Sequence, residues 1–424
     1  MSTARTIAVV YDKGAVAPAQ FAAGLSGLGE LLFLLPDSAH NEEMLPLLEH
    51  VGRTVRLTGD PETDIARVRA EAPAAVLTFA ESQLGTTSAL TTALGLPGHS
   101  AETVLMLTDK ARQRARLAET GVDRVRSITL TSPEEWPRVA AEVGLPAIVK
   151  PLQGEGSRGV FVVSDPDGVR RMVAEVFVTA DATGTTVVAE ELLQGRTDLD
   201  FADYVSVESL CGPHGVTHLA VTGKFPLAPP FRETGYFWPP ALPDGLEDEI
   251  RTLTGNALRA LGVTTGITHT EVKLTPEGPR IIEINGRIGG HIHLLGQNAC
   301  DVDLARVAGL LALGEQVRLP PFRPDRAHFV FIGLGPVEPA RFLAVHGEDD
   351  VRALEGIAGY RGFTRIGEDL PGGVNTQILN LVWGSGADHA EMAALYDKTL
   401  ATLSYDFAFP DGTTRTLDPT ELMW

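Results

Sequence analysis

Cysteine is scarce in this sequence, and long apolar runs are missing. Only two cysteines, Cys211 and Cys300, occur in 424 residues, too few for a disulfide framework or a four-thiolate metal site. No apolar run reaches the roughly 20 residues of a membrane helix, and the run at residues 6–11 is too short for a signal-peptide core. We therefore expect a cytoplasmic protein with no membrane partner.

Positive charge is also in short supply. The chain has 35 Lys and Arg residues against 55 Asp and Glu residues, a formal net charge of -20. This balance argues against nucleic acid as a partner, so we expect small-molecule partners. The content of 44% hydrophobic and 21% charged residues is typical of a globular protein. At roughly 150 residues per domain, the length suggests about three compact units.

Lysine is the rarer basic residue, since only six of the 35 Lys and Arg residues are lysines. A lysine supplies a compact point charge, whereas an arginine supplies a planar fork. Lysines beside sequence motifs are therefore candidates for phosphate contacts. The six are Lys13, Lys110, Lys150, Lys224, Lys273 and Lys398.

The order of strands and helices predicts an α/β protein that begins with half of a Rossmann-like fold. The predicted strands of this first unit are residues 6–11, 30–35 and 74–79. No G-x-G-x-x-G follows the first strand, so we place no dinucleotide there. Thr108-Asp109-Lys110 then caps a basic helix. A capping box at residues 132–135 predicts a helix that ends at Gly144, followed by a strand at 146–151.

A glycine loop joins the strand that ends near Lys150 to the β-rich run 160–163. Its sequence, Gly154 to Gly159, matches G-x-G-x-x-G, but a Rossmann loop would open a helix. A glycine loop between two strands suits a flap that closes on a nucleotide triphosphate. A flexible hairpin is the alternative, and Lys150 favours phosphate because lysine acts as a point charge on its oxygens.

The segment 270–285 predicts a hairpin with carboxylates facing each other. Folded about Glu277, it sets Glu271 opposite Glu283, with Asn285 on the same face. Opposed like charges are destabilising unless something neutralises them. Three oxygen ligands on a rigid hairpin predict a Mg²⁺ site completed by phosphates and water. The residues expected on the core face are Val272, Leu274, Ile282 and Ile284, and the alternative to a metal is an ion-pair ladder with Lys273, Arg280 and Arg287.

Two further motifs are weaker by themselves. Glu190-Glu191 ends an apolar strand and precedes Gly195. This strand end can present backbone groups to an adenine and a carboxylate to a ribose, or it can simply face water. Lys224 stands in an apolar setting, and it could equally be a surface lysine.

Taken in order, these motifs resemble the ATP-grasp superfamily of carboxylate-amine ligases over about residues 100–310. Within it, Gly156–Val160, Ser206–Ser209 and His269–Leu274 are similar to L-amino-acid (dipeptide) ligases. The resemblance implies an α/β (α+β) fold with four units. These are a Rossmann-like pre-ATP-grasp domain (1–105), a small lid domain with the glycine loop (106–186), a large lobe with the metal and substrate site (187–318), and a C-terminal α+β subdomain (319–424).

The resemblance also implies roles for individual residues, with ATP and Mg²⁺ (or Mn²⁺) as cofactors. Lys110 and Lys150 would hold the α and β phosphates, and Lys224 would reach the γ phosphate. The loop residues Gly154, Gly156, Ser157, Arg158 and Gly159 would cover the phosphates, and Glu190, Glu191 and Leu193 would frame the adenine. Glu271, Glu283 and Asn285 would bind two divalent ions, and Arg287 with Gly289 and Gly290 would face the acyl phosphate. Asp203 would be the ribose ligand, although residues 196–202 separate it from Gly195.

The stiff aromatic segment 229–240 predicts the substrate contacts. Glu233 and Gly235 match the dipeptide-ligase pattern, while Tyr236 stands where histidine is usual. An acid within aromatic walls suits a substrate ammonium, so we assign Glu233 to the amino group of an amino acid. Trp238 would line a side-chain pocket together with Tyr236 and His291. A packed loop is the alternative.

We therefore expect an ATP-dependent ligase that joins amino acids, or an amino acid and a small carboxylic acid, and releases ADP and phosphate. A phosphotransferase and a non-catalytic nucleotide-binding module are the alternatives. A zinc site at His291 and His293 lacks the third ligand that a catalytic zinc requires. A monomer and a homodimer both fit the sequence.

Overall fold

The computed structural model describes residues 5–152, 159–180, 186–373 and 376–423. Its strands form four sheets, three of four strands and one of eight. Within these ranges no helix is both long and apolar enough to cross a bilayer.

The N-terminal unit is a parallel sheet flanked by helices, as the sequence predicts. Its elements are β1 (Thr6–Val10), α1 (Pro18–Leu25), β2 (Glu30–Leu35), α2 (Ala39–Val51), β3 (Arg53–Arg56), α3 (Pro61–Ala70), β4 (Ala75–Leu77), α4 (Leu84–Leu94) and α5 (Ala101–Thr108). The strand order is β3-β2-β1-β4. We did not predict β3, because its sequence Arg-Thr-Val-Arg carries one apolar residue and has no strand signal of its own.

The unit predicted as the lid is an antiparallel sheet, with one helix before its first strand and another between its third and fourth strands in chain order. Its elements are α6 (Lys110–Glu119), β5 (Ser127–Leu130), β6 (Ala147–Pro151), β7 (Phe161–Val163), α7 (Pro166–Ala180) and β8 (Val187–Glu191). Asp109 caps α6 by accepting the Arg112 amide, as predicted. The glycine loop joins β6 to β7, and only Gly159 of its predicted ligands is described. Gly154, Gly156, Ser157 and Arg158 lie outside the described residues.

Two lid features differ from the sequence predictions. The helix expected up to Gly144 consists of a short 3-10 helix, Pro133–Glu135, and a π-helical turn, Val139–Val143. Pro137 lies between them and has no amide hydrogen to continue a helix. In addition, β8 pairs with β5 and β6. The lid sheet therefore continues through Glu191, past the boundary predicted at residue 186.

The large lobe is built on an eight-stranded antiparallel sheet. The elements from this region are β9 (Tyr204–Gly212), β10 (Gly215–Lys224), β11 (Gly235–Trp238), α8 (Leu246–Ala260), β12 (Gly266–Thr275), β13 (Gly278–Asn285), α9 (Ile292–Cys300) and α10 (Leu304–Ala312). One face of β9, β10, β12 and β13 packs on α8 through a fully apolar cluster that includes Val207, Val221 and Ile250. The opposite face is left for polar side chains.

The C-terminal region shares this sheet. Its elements are β14 (Ala327–Leu334), β15 (Ala340–His346), α11 (Glu348–Arg352), β16 (Ile357–Gly362), β17 (Asp369–Leu370), β18 (Ile378–Gly386), α12 (His389–Thr402), β19 (Ser404–Ala408), β20 (Thr414–Leu417) and α13 (Pro419–Leu422). The large sheet has the order β13-β12-β9-β10-β11-β14-β18-β16, and a smaller sheet has the order β17-β15-β19-β20. The boundary predicted at 319 thus falls within one continuous architecture, because three C-terminal strands complete the large sheet.

Candidate active site

The β12–β13 hairpin brings its two glutamates together as predicted. Glu271 is paired with Glu283, and His269 with Asn285, across the two strands. This register depends on a bulge between Glu271 and Val272, which adds one residue on β13. The prediction that Ile282 joins the core was wrong for the same reason: the bulge puts Ile281 in the core and leaves Ile282 only partly buried.

Cations neutralise the opposed carboxylates. The Lys110 Nζ lies 2.9 Å from Glu283 Oε1, and His269 Nε2 lies 3.6 Å from Glu271 Oε1. Burial raises the pKa of Glu271, but His269 and the nearby Lys224 and Arg287 outweigh burial and lower it to about 2. Glu271 is therefore ionised at neutral pH.

The ion-pair ladder does not form as the alternative required. Lys273 Nζ is 2.7 Å from Asp203 Oδ1, and Arg280 Nε is 2.6 Å from Asp123 Oδ1. Two of the three proposed ladder cations thus bind other carboxylates. The hairpin keeps its acidic pair beside Lys110.

The chemistry of the hairpin residues fits a Mg²⁺ ion that also binds phosphate. Glu271, Glu283 and Asn285 share one face and offer carboxylate and amide oxygens, the donors that Mg²⁺ prefers. In the described part of the chain, no group of three or more His, Cys, Asp or Glu residues is placed to hold a metal. Two carboxylates and one amide fill only part of the octahedral coordination of Mg²⁺, which leaves positions for phosphate oxygens and water.

A buried ion triad positions Lys150. Both oxygens of Glu190 accept from Arg114, at 3.0 and 3.1 Å, and Lys150 Nζ donates to Glu190 Oε2 at 2.8 Å. Burial raises the pKa of Glu190, but the two cations lower it to about 2. Burial and the neighbouring Arg114 lower the pKa of Lys150 against the effect of Glu190. The Glu190 carboxylate thus holds Lys150. The Glu190 side chain is buried and is not accessible to an adenine ring.

Arg114 is a site residue that the sequence argument missed. Its guanidinium also donates to the carbonyls of Ile281 and Ile282, at 2.6 and 2.7 Å. The buried Arg114 guanidinium therefore connects strand β8 of the lid to the β12–β13 hairpin. One arginine among several in a basic helix carries no sequence signal, because its burial depends on both partners.

Glu191 and Leu193 follow on the lid edge. Glu191 accepts from the Arg126 amide at 2.9 Å and from Arg126 Nε at 2.8 Å, on the side of β8 opposite to Glu190. Leu193 is partly buried in the segment that leaves β8. The strand-end amides of Glu191 and Leu192 donate to the carbonyls of Arg126 and Pro146, at 2.9 and 3.3 Å.

Asp203 lies against Gly195 in spite of the seven residues between them. A Cβ on Gly195 would collide with the Asp203 carboxylate. The ends of the intervening segment are held on β12, because the Arg196 amide donates to the Leu274 carbonyl and the Leu274 amide donates to the Asp203 carbonyl, each at 2.8 Å. Gly195 and Asp203 are thus neighbours in space although they are separated in the sequence.

Lys224 is buried on the polar face of the sheet. Its Nζ is 2.7 Å from Glu233 Oε1 and lies 5.6 and 5.2 Å from the ring centroids of Tyr204 and Tyr236. Burial lowers the pKa of Lys224, but Glu233 and Glu271 outweigh burial and raise it. Lys224 is therefore a charged ammonium in an aromatic cage, not a surface lysine.

The loop after β13 carries Arg287 toward the N-terminal unit. Arg287 Nε lies 3.3 Å from Glu81 Oε2. The Tyr236 hydroxyl donates to the Gly290 carbonyl at 3.0 Å, which joins the loop to β11. His291 and His293 follow, with ring centroids 6.3 Å apart, and burial lowers their pKa values to about 4 and about 3. Both imidazole rings are therefore neutral at pH 7.

Trp238 does not line an open pocket. Its side chain is 1% exposed, it packs on Phe322 at 5.5 Å between ring centroids, and its indole donates to Thr222 Oγ1 at 2.7 Å. The structure leaves this side chain no surface to offer a substrate, which corrects the role assigned from the sequence. Glu233 keeps 35% of its side chain exposed.

The polar face contains one more carboxylate, which the sequence argument did not identify. Glu208 is fully buried and accepts from His269 Nδ1 at 2.9 and 3.1 Å. Burial lowers the pKa of His269, but Glu208 outweighs it and raises that pKa to about 9. The motifs at 206–209 and 269–274, which lie on the paired strands β9 and β12, thus meet in one cluster.

Comparisons with known proteins agree with this architecture. Residues 143–294 match the family described as the ATP-grasp domain. The chain is 34% identical over 308 residues to the uncharacterised protein y4rH of Sinorhizobium fredii, an alignment that covers 70% of this chain and 60% of the relative. It is 27% identical over 243 residues to the alanine–anticapsin ligase of Bacillus subtilis, covering 54% of this chain and 51% of that protein.

The fold also matches a solved L-amino acid ligase from Bacillus licheniformis with a TM-score of 0.80, at 21% identity over 96% of this chain and 99% of that chain. The chain spans about half to three fifths of the length of the two curated relatives. Residues 143–294 thus match the ATP-grasp domain family, and the chain as a whole has the fold of the L-amino acid ligase.

Proposed function

We propose that this protein is an ATP-dependent carboxylate-amine ligase that forms an amide bond through an acyl phosphate and releases ADP and phosphate. The observation that carries the proposal is the polar face of the large sheet. There, Glu271 and Glu283 lie opposite each other, a buried Lys224 stands on β10, and Arg287 follows directly after β13. This combination suits the transfer of a phosphoryl group and the stabilisation of an oxyanion.

The ATP site would lie between the lid sheet and this face. Lys110, Lys150 and Lys224 are each held by a carboxylate, at 2.9, 2.8 and 2.7 Å, so the ammonium groups are fixed before phosphate arrives. We assign Lys110 and Lys150 to the α and β phosphates and Lys224 to the γ phosphate. Preorganised cations of this kind need little rearrangement when charge develops.

The outer parts of the nucleotide would meet two other features. The backbone after β8, near Leu193, would face the adenine. Asp203 would accept a ribose hydroxyl on its Oδ2, because Lys273 binds only its Oδ1. Gly195 lies beside this Oδ2 and has no side chain to cover it.

Glu271, Glu283 and Asn285 would hold Mg²⁺, with Mn²⁺ as a substitute. When bound, the metal would neutralise phosphate charge. Lys110 would share this task on the Glu283 side of the hairpin.

The reaction has two balanced steps. An oxygen of the substrate carboxylate attacks the γ phosphorus, the bond to the β–γ bridging oxygen breaks, and ADP leaves. The deprotonated amine of the second substrate then attacks the acyl carbon, the bond from this carbon to the phosphate-bearing oxygen breaks, and phosphate leaves with the former carboxylate oxygen. The amine nitrogen loses one proton, which passes to the departing phosphate or to solvent. Lys224 would stabilise the transferring group, and Arg287 would stabilise the oxyanion of the second step.

We propose an amino acid as one substrate. Two relatives carry names that describe amino-acid ligation. In this chain, Glu233 has a side chain that is 35% exposed and binds Lys224 through one oxygen, and its second oxygen would suit an ammonium group. His291 would form the adjoining wall, and Tyr236, which is 1% exposed, would support this site from behind through its bond to the Gly290 carbonyl.

The two free thiols, Cys211 and Cys300, are consistent with work in a reducing cytoplasm.

The test is a panel of amino acids, short peptides and small carboxylic acids with ATP and Mg²⁺, scored for ADP, phosphate and product mass. Hydroxylamine should trap the activated acid as a hydroxamate. AMP with pyrophosphate, or a stable phosphorylated product without amide, would contradict the proposal, and the second outcome would favour a phosphotransferase.

A further inference from the structure

A buried carboxylate stands at the centre of the polar face, and the proposed reaction does not use it. Glu208 is fully buried on β9. Besides His269, it accepts from Ser206 Oγ at 3.1 Å and from Thr222 Oγ1 at 3.3 Å. Burying a charge is costly unless it is paired and hydrogen-bonded, so this cluster is a built feature of the site.

The His269 ring connects this carboxylate to the metal hairpin. His269 lies directly opposite Glu208 in the pairing of β12 with β9, and its Nδ1 donates to Glu208. That bond fixes the ring orientation and directs Nε2 to within 3.6 Å of Glu271 Oε1. A carboxylate that orients an imidazole is the arrangement by which outer residues hold metal ligands in place.

The same ring supports the loop that carries Arg287. A Cβ on Gly289 would collide with His269 Nδ1 and would lie 2.7 Å from its Cε1. Gly289 is therefore the residue that lets the loop pack on the imidazole. One side chain thus contacts both Glu271 and the Arg287 loop.

The far end of the cluster is also ordered. Trp238 Nε1 donates to Thr222 Oγ1 at 2.7 Å. Because a hydroxyl has a single proton, Thr222 can then donate to Glu208. The buried Trp238, which offers no surface to a substrate, completes the support of Glu208.

We propose that His269, oriented by Glu208, is a positioning residue that sets the Glu271 carboxylate for metal binding and supports the Arg287 loop. This inference rests on the proposed function, because it assumes that Glu271 is a metal ligand. It adds Glu208, Thr222 and Gly289 to the site as residues that act through His269.

The experiment compares two replacements of the ring. His269→Asn keeps an N–H donor near the position of Nδ1, toward Glu208, and loses the one toward Glu271. His269→Gln keeps a donor near the position of Nε2 and loses the one toward Glu208. Mn²⁺ binding is measured by electron paramagnetic resonance in the presence of ADP, ADP binding without metal by calorimetry, and folding by thermal unfolding.

We expect His269→Asn to weaken Mn²⁺ binding by on the order of tenfold and His269→Gln to restore most of it, with ADP binding without metal unchanged in both. Wild-type Mn²⁺ affinity in His269→Asn would overturn the positioning role. Equal losses in both variants would also overturn it and leave His269 a packing residue. If the wild-type protein itself binds no Mn²⁺ with ADP, the metal site and the proposed function fail together.

A milder pair of variants covers the case in which neither ring replacement folds. Thr222→Val removes one donor to Glu208, whereas Thr270→Val removes a buried hydroxyl from the strand that carries His269. We expect Thr222→Val to weaken Mn²⁺ binding a few-fold and Thr270→Val to leave it unchanged. Identical Mn²⁺ affinities in the two variants would overturn the proposal.

Discussion

Gly195 and Asp203 touch each other although seven residues separate them in the chain, and only a glycine leaves room for the carboxylate. The segment between them leaves and rejoins β12 through the backbone bonds of Leu274. Lys273, from the same strand, binds Asp203 at 2.7 Å. Gly195 and Asp203, which are separated in the sequence, are thus adjacent at the proposed ribose site.

Gly195→Ala should raise the KM for ATP several-fold, because the new methyl group displaces the Asp203 carboxylate. The amino-acid KM should change little. Gly85→Ala is the matched control, since Gly85 is a helical glycine with open space around its Cα. Steady-state kinetics with ATP varied will check this, and an unchanged ATP KM in Gly195→Ala would remove Asp203 from the nucleotide site.

Glu283→Gln should abolish turnover and leave the fold intact. It removes a metal charge, relieves the repulsion with Glu271, and takes from Lys110 its ionic partner at 2.9 Å. The thermal midpoint without metal should change little, because relief of the repulsion with Glu271 offsets the loss of the Lys110–Glu283 ion pair. Glu277→Gln, at the exposed turn of the same hairpin, should behave as wild type, and near-normal rates in Glu283→Gln would exclude a metal site here.

Lys150→Ala and Lys224→Ala should each lower kcat/KM for ATP by at least tenfold, because their buried ammonium groups would contact phosphate. Lys13→Ala and Lys398→Ala are the controls, since both side chains are exposed. Calorimetry with ADP and single-turnover kinetics will separate binding from transfer. Similar effects in all four variants would contradict the importance of the scarce lysines.

Glu190→Gln should destabilise the protein at neutral pH, because it leaves Arg114 and Lys150 buried without their counter-charge. Breaking a buried pair costs about 3–5 kcal/mol. The folded-state pKa of Glu190 is about 2, below the ordinary value of 4.5. Its stabilising effect is therefore complete above pH 4.5 and is lost as pH falls through 2.

Urea midpoints of wild type and Glu190→Gln, compared at pH 7, 5 and 3, will check this. The gap should be constant between pH 7 and 5 and smaller at pH 3. Glu191→Gln is the neighbouring control, since its arginine partner is exposed. A gap that widens as pH falls would have the wrong sign.

Glu233→Ala should raise the KM for the amino-acid substrate by tenfold or more, because it removes the acid proposed to bind the ammonium group. Glu233 also holds Lys224 at 2.7 Å, so a smaller effect on ATP should appear. Kinetics on the two single variants and the Glu233→Ala, Lys224→Ala double variant should show less than additive losses. Unchanged KM values across all amino acids tested would place the ammonium contact elsewhere.

The hairpin shows how far pattern reasoning reached. Alternation of side chains was enough to place Glu283 and Asn285 on one face, but the pairing of Glu271 with Glu283 also depends on the bulge in β13. The same reasoning misplaced Ile282, because a bulge changes the alternation within one strand and has no dependable signal in a single sequence. Trp238 was misplaced for a related reason. The sequence pattern of an aromatic residue beside prolines is the same whether its side chain faces a pocket or the core.

By itself, the sequence determined the parts whose cause is local. The parallel first unit, the cap at Asp109 and the lysines beside motifs all follow from periodicity, capping and spacing along a few residues. Only the tertiary structure decided which charges meet. Arg114 with Glu190, Asp203 with Gly195, and Glu208 with His269 come from distant segments, and a buried charge finds its partner through the packing of whole sheets. No spacing within one segment encodes that choice.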